Sequence, residues 1–167
     1  MKRTCVFDSS TLILLSKSTL LRSFASLNNA IITPKVSSEV FGKEGADDSM
    51  LIKKLLDDHI IAESQSSIIN TNLAADFGLG EGEAEALSLA LQGKHILATD
   101  DLRAIKACKV LNVRFINAIH CLASLYYSKV LDQRLALEKL KSLEKYGRYS
   151  AQIIKDARKI IEGEKNG

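Results

Sequence analysis

Residues 82–111 read GEAEALSLALQGKHILATDDLRAIKACKVL. Gly82 to Gln92 carries apolar residues at helical spacing, as does Leu102 to Leu111. Between them His95 to Thr99 is a short apolar run that ends in Asp100-Asp101. A run of this length with no polar alternation suits a strand covered on both faces, and helix–strand–helix order places it in a parallel sheet with helical layers.

The same unit recurs outward from this stretch. Thr4 to Phe7, Ala30 to Thr33, His59 to Ala62 and Val113 to Ile116 are four further short apolar runs. Ser10 to Leu27, Lys35 to Gly42 and Asp47 to Asp58 read as helices between them. Five strands alternating with helices predict an α/β fold with a parallel sheet. Pro34 suits the first turn of a helix capped by Thr33. Leu73 to Phe77 reads as a short helix, and the glycines at 78, 80 and 82 follow it rather than a strand. They therefore mark a helix stop and the approach to the next helix, not a dinucleotide loop. Beyond Asn117 the pattern is helical only: Ala118 to Val130, Asp132 to Lys145 and Ser150 to Glu162, with Asp132 and Ser150 as N-caps.

The chain of 167 residues is long enough for one domain with a sizeable core, and 46% apolar with 26% charged residues excludes a disordered chain. Aromatics make up only 5% and Trp is absent, which weakens any site built on a platform of stacked rings. The net charge of +3 is compatible with a polyanionic partner but far from the footprint of a dedicated nucleic-acid binder. Cys5, Cys108 and Cys121 are far apart and odd in number, so they read as core residues in a reducing compartment rather than as a disulfide framework or zinc site. Asp8 arrives too early for a signal peptide and no apolar run is long enough to cross a membrane, so the expectation is a cytoplasmic protein without a membrane partner.

Acidic residues stand where strands meet helices: Asp8, Glu39, Glu83 and Asp100-Asp101. Open α/β sheets place ligands at strand ends where the strand order reverses, and strands ending in Asp8 and in Thr99-Asp100-Asp101 are candidate neighbours there. Converging carboxylates repel one another unless a divalent cation lies between them. Each also has a plainer role, since Asp8 and either Asp100 or Asp101 are natural N-caps and Glu39 suits the end of a helix dipole. With Glu83 at zero, Leu87 falls at about 40° and Ala90 at about −20°, whereas Glu85, Ser88 and Gln92 fall at about 140° to 200°. Rotation thus sets Glu83 on the apolar face and Glu85 on an opposite polar stripe. Glu39 borders the apolar face of its helix, and Glu44 is its local rival.

VFDSS at the start, Glu39 after the second strand, GEAEALSLA, and ILATDDLRAIKACKVLNVRFINA together resemble the PIN-domain nucleases over residues 4 to 130. GEGEAEALSLAL followed by LATDDLRA is similar to an uncharacterised prokaryotic branch of that family. The resemblance implies a three-layer α/β/α sandwich with a five-stranded parallel sheet, residues 1–130 forming the PIN-like domain; the helical pattern of 131–167, which matches no motif of the family, is expected to be an extension packed on it. The resemblance also implies an Mg²⁺- or Mn²⁺-dependent endoribonuclease, a hydrolase acting on single-stranded RNA. Asp8, Glu39, Glu83 and Asp101 match its acids, with Asp8, Glu83, Asp101 and Asp100 as metal ligands. Thr99 and Asp101 match its Thr-x-Asp pattern, and Glu83 departs from the family's usual aspartate.

On that reading Ser9, Ser10 and Thr99 orient carboxylates or meet phosphate, and Lys35, Lys43, Arg103 and Lys106 are candidate phosphate contacts. The implied partners are the RNA, an antitoxin protein if the chain is a toxin of a toxin–antitoxin pair, and a second copy in a homodimer. A haloacid-dehalogenase-like phosphatase fails because Ser10 stands where that family needs a second aspartate. His59, His95 and His120 form no nucleophilic triad. The rival from another class is a catalytically weak or inactive PIN-like module that binds RNA or protein.

Overall fold

A computed structural model describes residues 2–42, 47–66 and 72–163; Lys43 and Glu44 lie outside the described residues. In chain order the elements are β1 (Thr4–Phe7), α1 (Ser9–Lys17), α2 (Leu21–Leu27), β2 (Asn29–Ile32), α3 (Pro34–Phe41), α4 (Asp47–Asp57), β3 (Ile61–Glu63), α5 (Asn72–Phe77), α6 (Glu81–Gly93), β4 (Ile96–Ala98), α7 (Leu102–Val110), β5 (Phe115–Ile116), α8 (Ala118–Tyr127), α9 (Gln133–Tyr146) and α10 (Ala151–Glu162). The five strands form one parallel sheet in the order β3-β2-β1-β4-β5, flanked by helices as an α/β/α sandwich. The chain steps outward from β1 through β2 to β3, then returns to lay β4 on the other side of β1. The strand order therefore reverses between β1 and β4, the place where open sheets keep a crevice.

The core sits on both faces of the central strands, with Val6, Phe7, Ile32, Leu97 and Ala98 almost wholly enclosed. This double covering is why their sequences lack polar alternation. α9 packs on α1 and α8, and α10 on α8 and α9, through Leu140, Leu143, Ile154 and Ile161, all buried. The three cysteines are buried free thiols, and burial pushes those of Cys5 and Cys108 up to about 11. Among the described residues no helix is long and apolar enough to cross a membrane.

The helix expected from Ser10 to Leu27 is in fact two helices. Thr19 takes a left-handed φ of 54°, its N–H bonds to the Ser16 carbonyl and the Leu20 N–H to the Leu15 carbonyl, which is a Schellman closure. Leu15 and Leu20 are both fully buried and supply the hydrophobic contact that accompanies it. His59 and Lys129 close α4 and α8 by the same paired bonds. With a non-glycine residue in the left-handed position, these helix ends carry no glycine signal in the sequence.

Candidate functional site

The β1–β4 register pairs Phe7 with Ala98, so Asp8 and Thr99 leave the sheet side by side. The Asp8 N–H continues the ladder to the Ala98 carbonyl at 3.1 Å. Asp8 caps α1: its Oδ1 accepts from the Thr11 N–H at 2.8 Å and from the Ser10 hydroxyl at 3.3 Å. Its Oδ2 accepts from the Thr99 hydroxyl at 2.5 Å. The residue is only 1% exposed. Burial raises its carboxyl from 3.8 to about 6, against the lowering effect of the Thr99 and Thr11 bonds, and the nearby Asp100 charge raises it further.

The adjacent aspartates take separate directions. Asp100 turns inward, accepting from the Thr11 hydroxyl at 2.9 Å, from the Ala118 N–H at 3.2 Å and from the Tyr149 hydroxyl. It is thereby an anion at the N-terminus of α8 and the anchor of the α9–α10 connection. Burial and the Asp100 charge hold the Tyr149 hydroxyl protonated far above its usual range, so it stays a donor. Asp101 caps α7, its Oδ1 accepting from the Arg103 and Ala104 N–H groups at 2.8 and 3.0 Å.

The glutamates serve a second pair of helix ends. Glu39 of α3 accepts from the Gly82 N–H in the first turn of α6 at 3.0 Å and from the Ser9 hydroxyl at 2.6 Å. Glu85 of α6 accepts in return from the Lys35 N–H in the first turn of α3 at 2.9 Å. The two helices therefore cap each other, each with a carboxylate at the partner's positive end. Glu83 folds back onto its own helix start, accepting from the Gly80 N–H at 2.9 Å, which is half a capping box because Gly80 has no side chain to return the bond. Gly82 leaves the space for Glu39: a Cβ there would stand 2.5 Å from both of its carboxylate oxygens. The expected polar stripe on α6 is absent at Ser88, which is buried at 3% exposed.

Two of the four basic candidates are matched by acids. Lys35 forms an ion pair with Glu81, and the Arg103 Nε lies 3.8 Å from Asp101. Lys106 is exposed on α7. Helix rotation missed Gly82, Thr11 and Tyr149, each of which fixes a carboxylate, and it missed that Glu85 accepts from the start of α3. Only Gly82 carried a signal, as a glycine inside an otherwise good helix.

Among the described residues no group of three or more His, Cys, Asp or Glu side chains is placed to hold a metal ion. The finding overturns the expectation of Mg²⁺ or Mn²⁺ as cofactor. With it fall the metal-dependent endoribonuclease activity and the nuclease, hydrolase and metal-binding descriptions. The physical reason is that the acids serve different helix starts: Asp8 α1, Asp101 α7, Asp100 α8, Glu39 and Glu83 α6. Each carboxylate is held toward its own N–H groups, so they do not converge on one point.

A family model described as PIN domain (DUF3368) matches residues 4–162, a range that includes α9 and α10. A search of curated proteins finds no match.

Proposed function

The chain belongs to the PIN-domain family, and on that premise we propose that it acts as a binding module for a protein partner, without metal-dependent cleavage. The observation that carries this is the charge at the C-terminal end of the sheet. Asp8, Glu39, Glu81, Glu83, Glu85, Asp100 and Asp101 lie around the starts of α1, α3, α6, α7 and α8, and among the described residues the cations paired with them are Lys35 and Arg103. Uncompensated by a cation, such an end repels phosphodiester and attracts ammonium and guanidinium groups. A guanidinium has five N–H donors and reaches carboxylates too far apart for one ion to bind together. The partner is accordingly a protein that presents a Lys- or Arg-bearing segment, as an antitoxin-like binding protein would, and the setting is cytoplasmic.

The experiment pairs two measurements on the full chain. Titration with MnCl₂ or MgCl₂ is expected to leave the thermal midpoint unchanged. A fluorescein-labelled Arg-Gly repeat peptide is expected to bind by anisotropy at low salt, with affinity lost in the double variant Glu81→Gln/Glu83→Gln, which removes the charge of the exposed Glu81 and of its half-buried neighbour. A saturable Mn²⁺-dependent rise in the midpoint, or peptide binding indifferent to both substitutions, refutes the reading.

A further inference from the structure

The connection between α9 and α10 reaches back to the acidic crevice. Gly147 closes α9, its N–H bonded to the Leu143 carbonyl at 2.8 Å, and Ser150 caps α10. Between them the half-buried Tyr149 folds its ring over Gly147, where a Cβ would stand 2.6 Å from the ring edge and 2.7 Å from the Leu143 carbonyl oxygen. Glycine is therefore required for the ring to lie there. So placed, the ring delivers its hydroxyl to the Asp100 Oδ1. Asp100 divides its oxygens between two kinds of partner. Its Oδ2 accepts from the Thr11 hydroxyl at 2.9 Å and from the Ala118 N–H at 3.2 Å, donors on α1 and α8. Its Oδ1 has the same Ala118 N–H at 3.4 Å and the Tyr149 hydroxyl. A carboxylate offers about four acceptor positions, and Tyr149 fills one on the oxygen that α1 and α8 hold least. Asp100 is half-buried, and its charge acts on Asp8, so this oxygen belongs to the crevice.

From this geometry we infer that the α9–α10 connection is an autoinhibitory latch on the crevice, in which the Tyr149 hydroxyl holds the Asp100 oxygen that a guanidinium of the partner takes. The inference rests on the reading of the crevice as a site for a Lys- or Arg-bearing segment, and adds its regulation. The guanidinium and the tyrosine hydroxyl exclude each other at the Asp100 Oδ1, so the segment seats fully only when Tyr149 leaves. Linkage makes the effect reciprocal: a bound segment loosens the start of α10 by as much free energy as the latch withholds from the segment.

The test joins anisotropy of the fluorescein-labelled Arg-Gly repeat peptide to amide hydrogen exchange, both on the full chain. Tyr149→Phe keeps the ring and removes the hydroxyl. It is expected to bind the peptide about tenfold or more tightly than the parent, the worth of a hydrogen bond to a charged group. Ile154→Val loosens the buried face of α10 without touching the latch and is expected to bind like the parent. In the parent, saturating peptide is expected to raise exchange in residues 148–153 toward the level of peptide-free Tyr149→Phe. Circular dichroism confirms that each variant is folded before it is scored. Equal peptide affinity in Tyr149→Phe and the parent overturns the latch alone and leaves the crevice reading standing. A gain in Ile154→Val as large as that in Tyr149→Phe also overturns the latch, since loosening α10 would then suffice. Exchange in residues 148–153 that the peptide leaves unchanged or slows has the same consequence. If neither the parent nor Tyr149→Phe binds the peptide, the crevice reading fails and the latch with it.

Discussion

Asp8→Asn tests how the crevice is held together. Asp8 is 1% exposed and its carboxyl is raised from 3.8 to about 6, chiefly by burial. Between those values the folded protein keeps a proton that the unfolded chain has shed, so stability falls as pH rises through the window and the loss is complete above about pH 7. A shift of about two units corresponds to roughly 3 kcal/mol at about 1.4 kcal/mol per unit. Asparagine keeps an oxygen for the Thr11 N–H, serves equally well as an N-cap, and turns its amide toward Thr99, whose hydroxyl can accept. The variant should therefore match the parent near pH 4 and exceed it by up to about 3 kcal/mol at pH 7.5. For a chain of this size that is a rise in midpoint of roughly 6–12 °C. Urea unfolding of both proteins from pH 4 to pH 8 gives the stability difference directly and cancels the other titrating groups. Parallel curves across the window would refute the account of Asp8 as a buried, costly carboxylate.

Three further outcomes follow from the same geometry. Gly82→Ala should gain nothing in the parent, because its Cβ meets the Glu39 carboxylate at 2.5 Å, but should stabilise a Glu39→Ala background by about 1 kcal/mol, the ordinary preference for alanine in a helix; equal effects in both backgrounds by urea unfolding would dismiss the contact. Tyr149→Phe removes one donor to the Asp100 carboxylate and should cost about 1.5–3 kcal/mol, with amide exchange rising first in α10; a neutral substitution would mean that Asp100 does not anchor the α9–α10 connection. Thr19→Gly should stabilise by about 1 kcal/mol, since a β-branched residue at a φ of 54° is strained, and thermal unfolding that shows a loss would contradict that.

Much of the fold was legible because its signals are local. The double covering of the central strands is written in the unbroken apolar runs Cys5-Val6-Phe7 and Ile96-Leu97-Ala98. The caps Asp132 and Ser150 announce α9 and α10 and accept from Leu135 and Ile153 as expected. The α1–α2 break was hidden because Thr19, not glycine, takes the left-handed turn. Helix rotation was a weaker guide to the crevice. α6 lies against α3, α5, α7 and the sheet, so Ser88 is buried on the side read as polar, and Glu85 reaches a neighbouring helix rather than solvent.

The sequence by itself determined the alternation of strands and helices, and with it the placing of Asp8 directly after β1 and of Asp100-Asp101 just after β4. Hydrophobic periodicity and capping preferences act over a few residues, and the chain states them directly. Which donor each carboxylate takes was decided only in the tertiary structure. Glu39 and Gly82, Glu85 and Lys35, and Asp100 and Tyr149 are 43, 50 and 49 residues apart, and their meeting depends on how whole helices pack. That packing turns a row of acids that suggests a metal nest into separate caps, because a buried carboxylate is held by the N–H and hydroxyl groups it can reach.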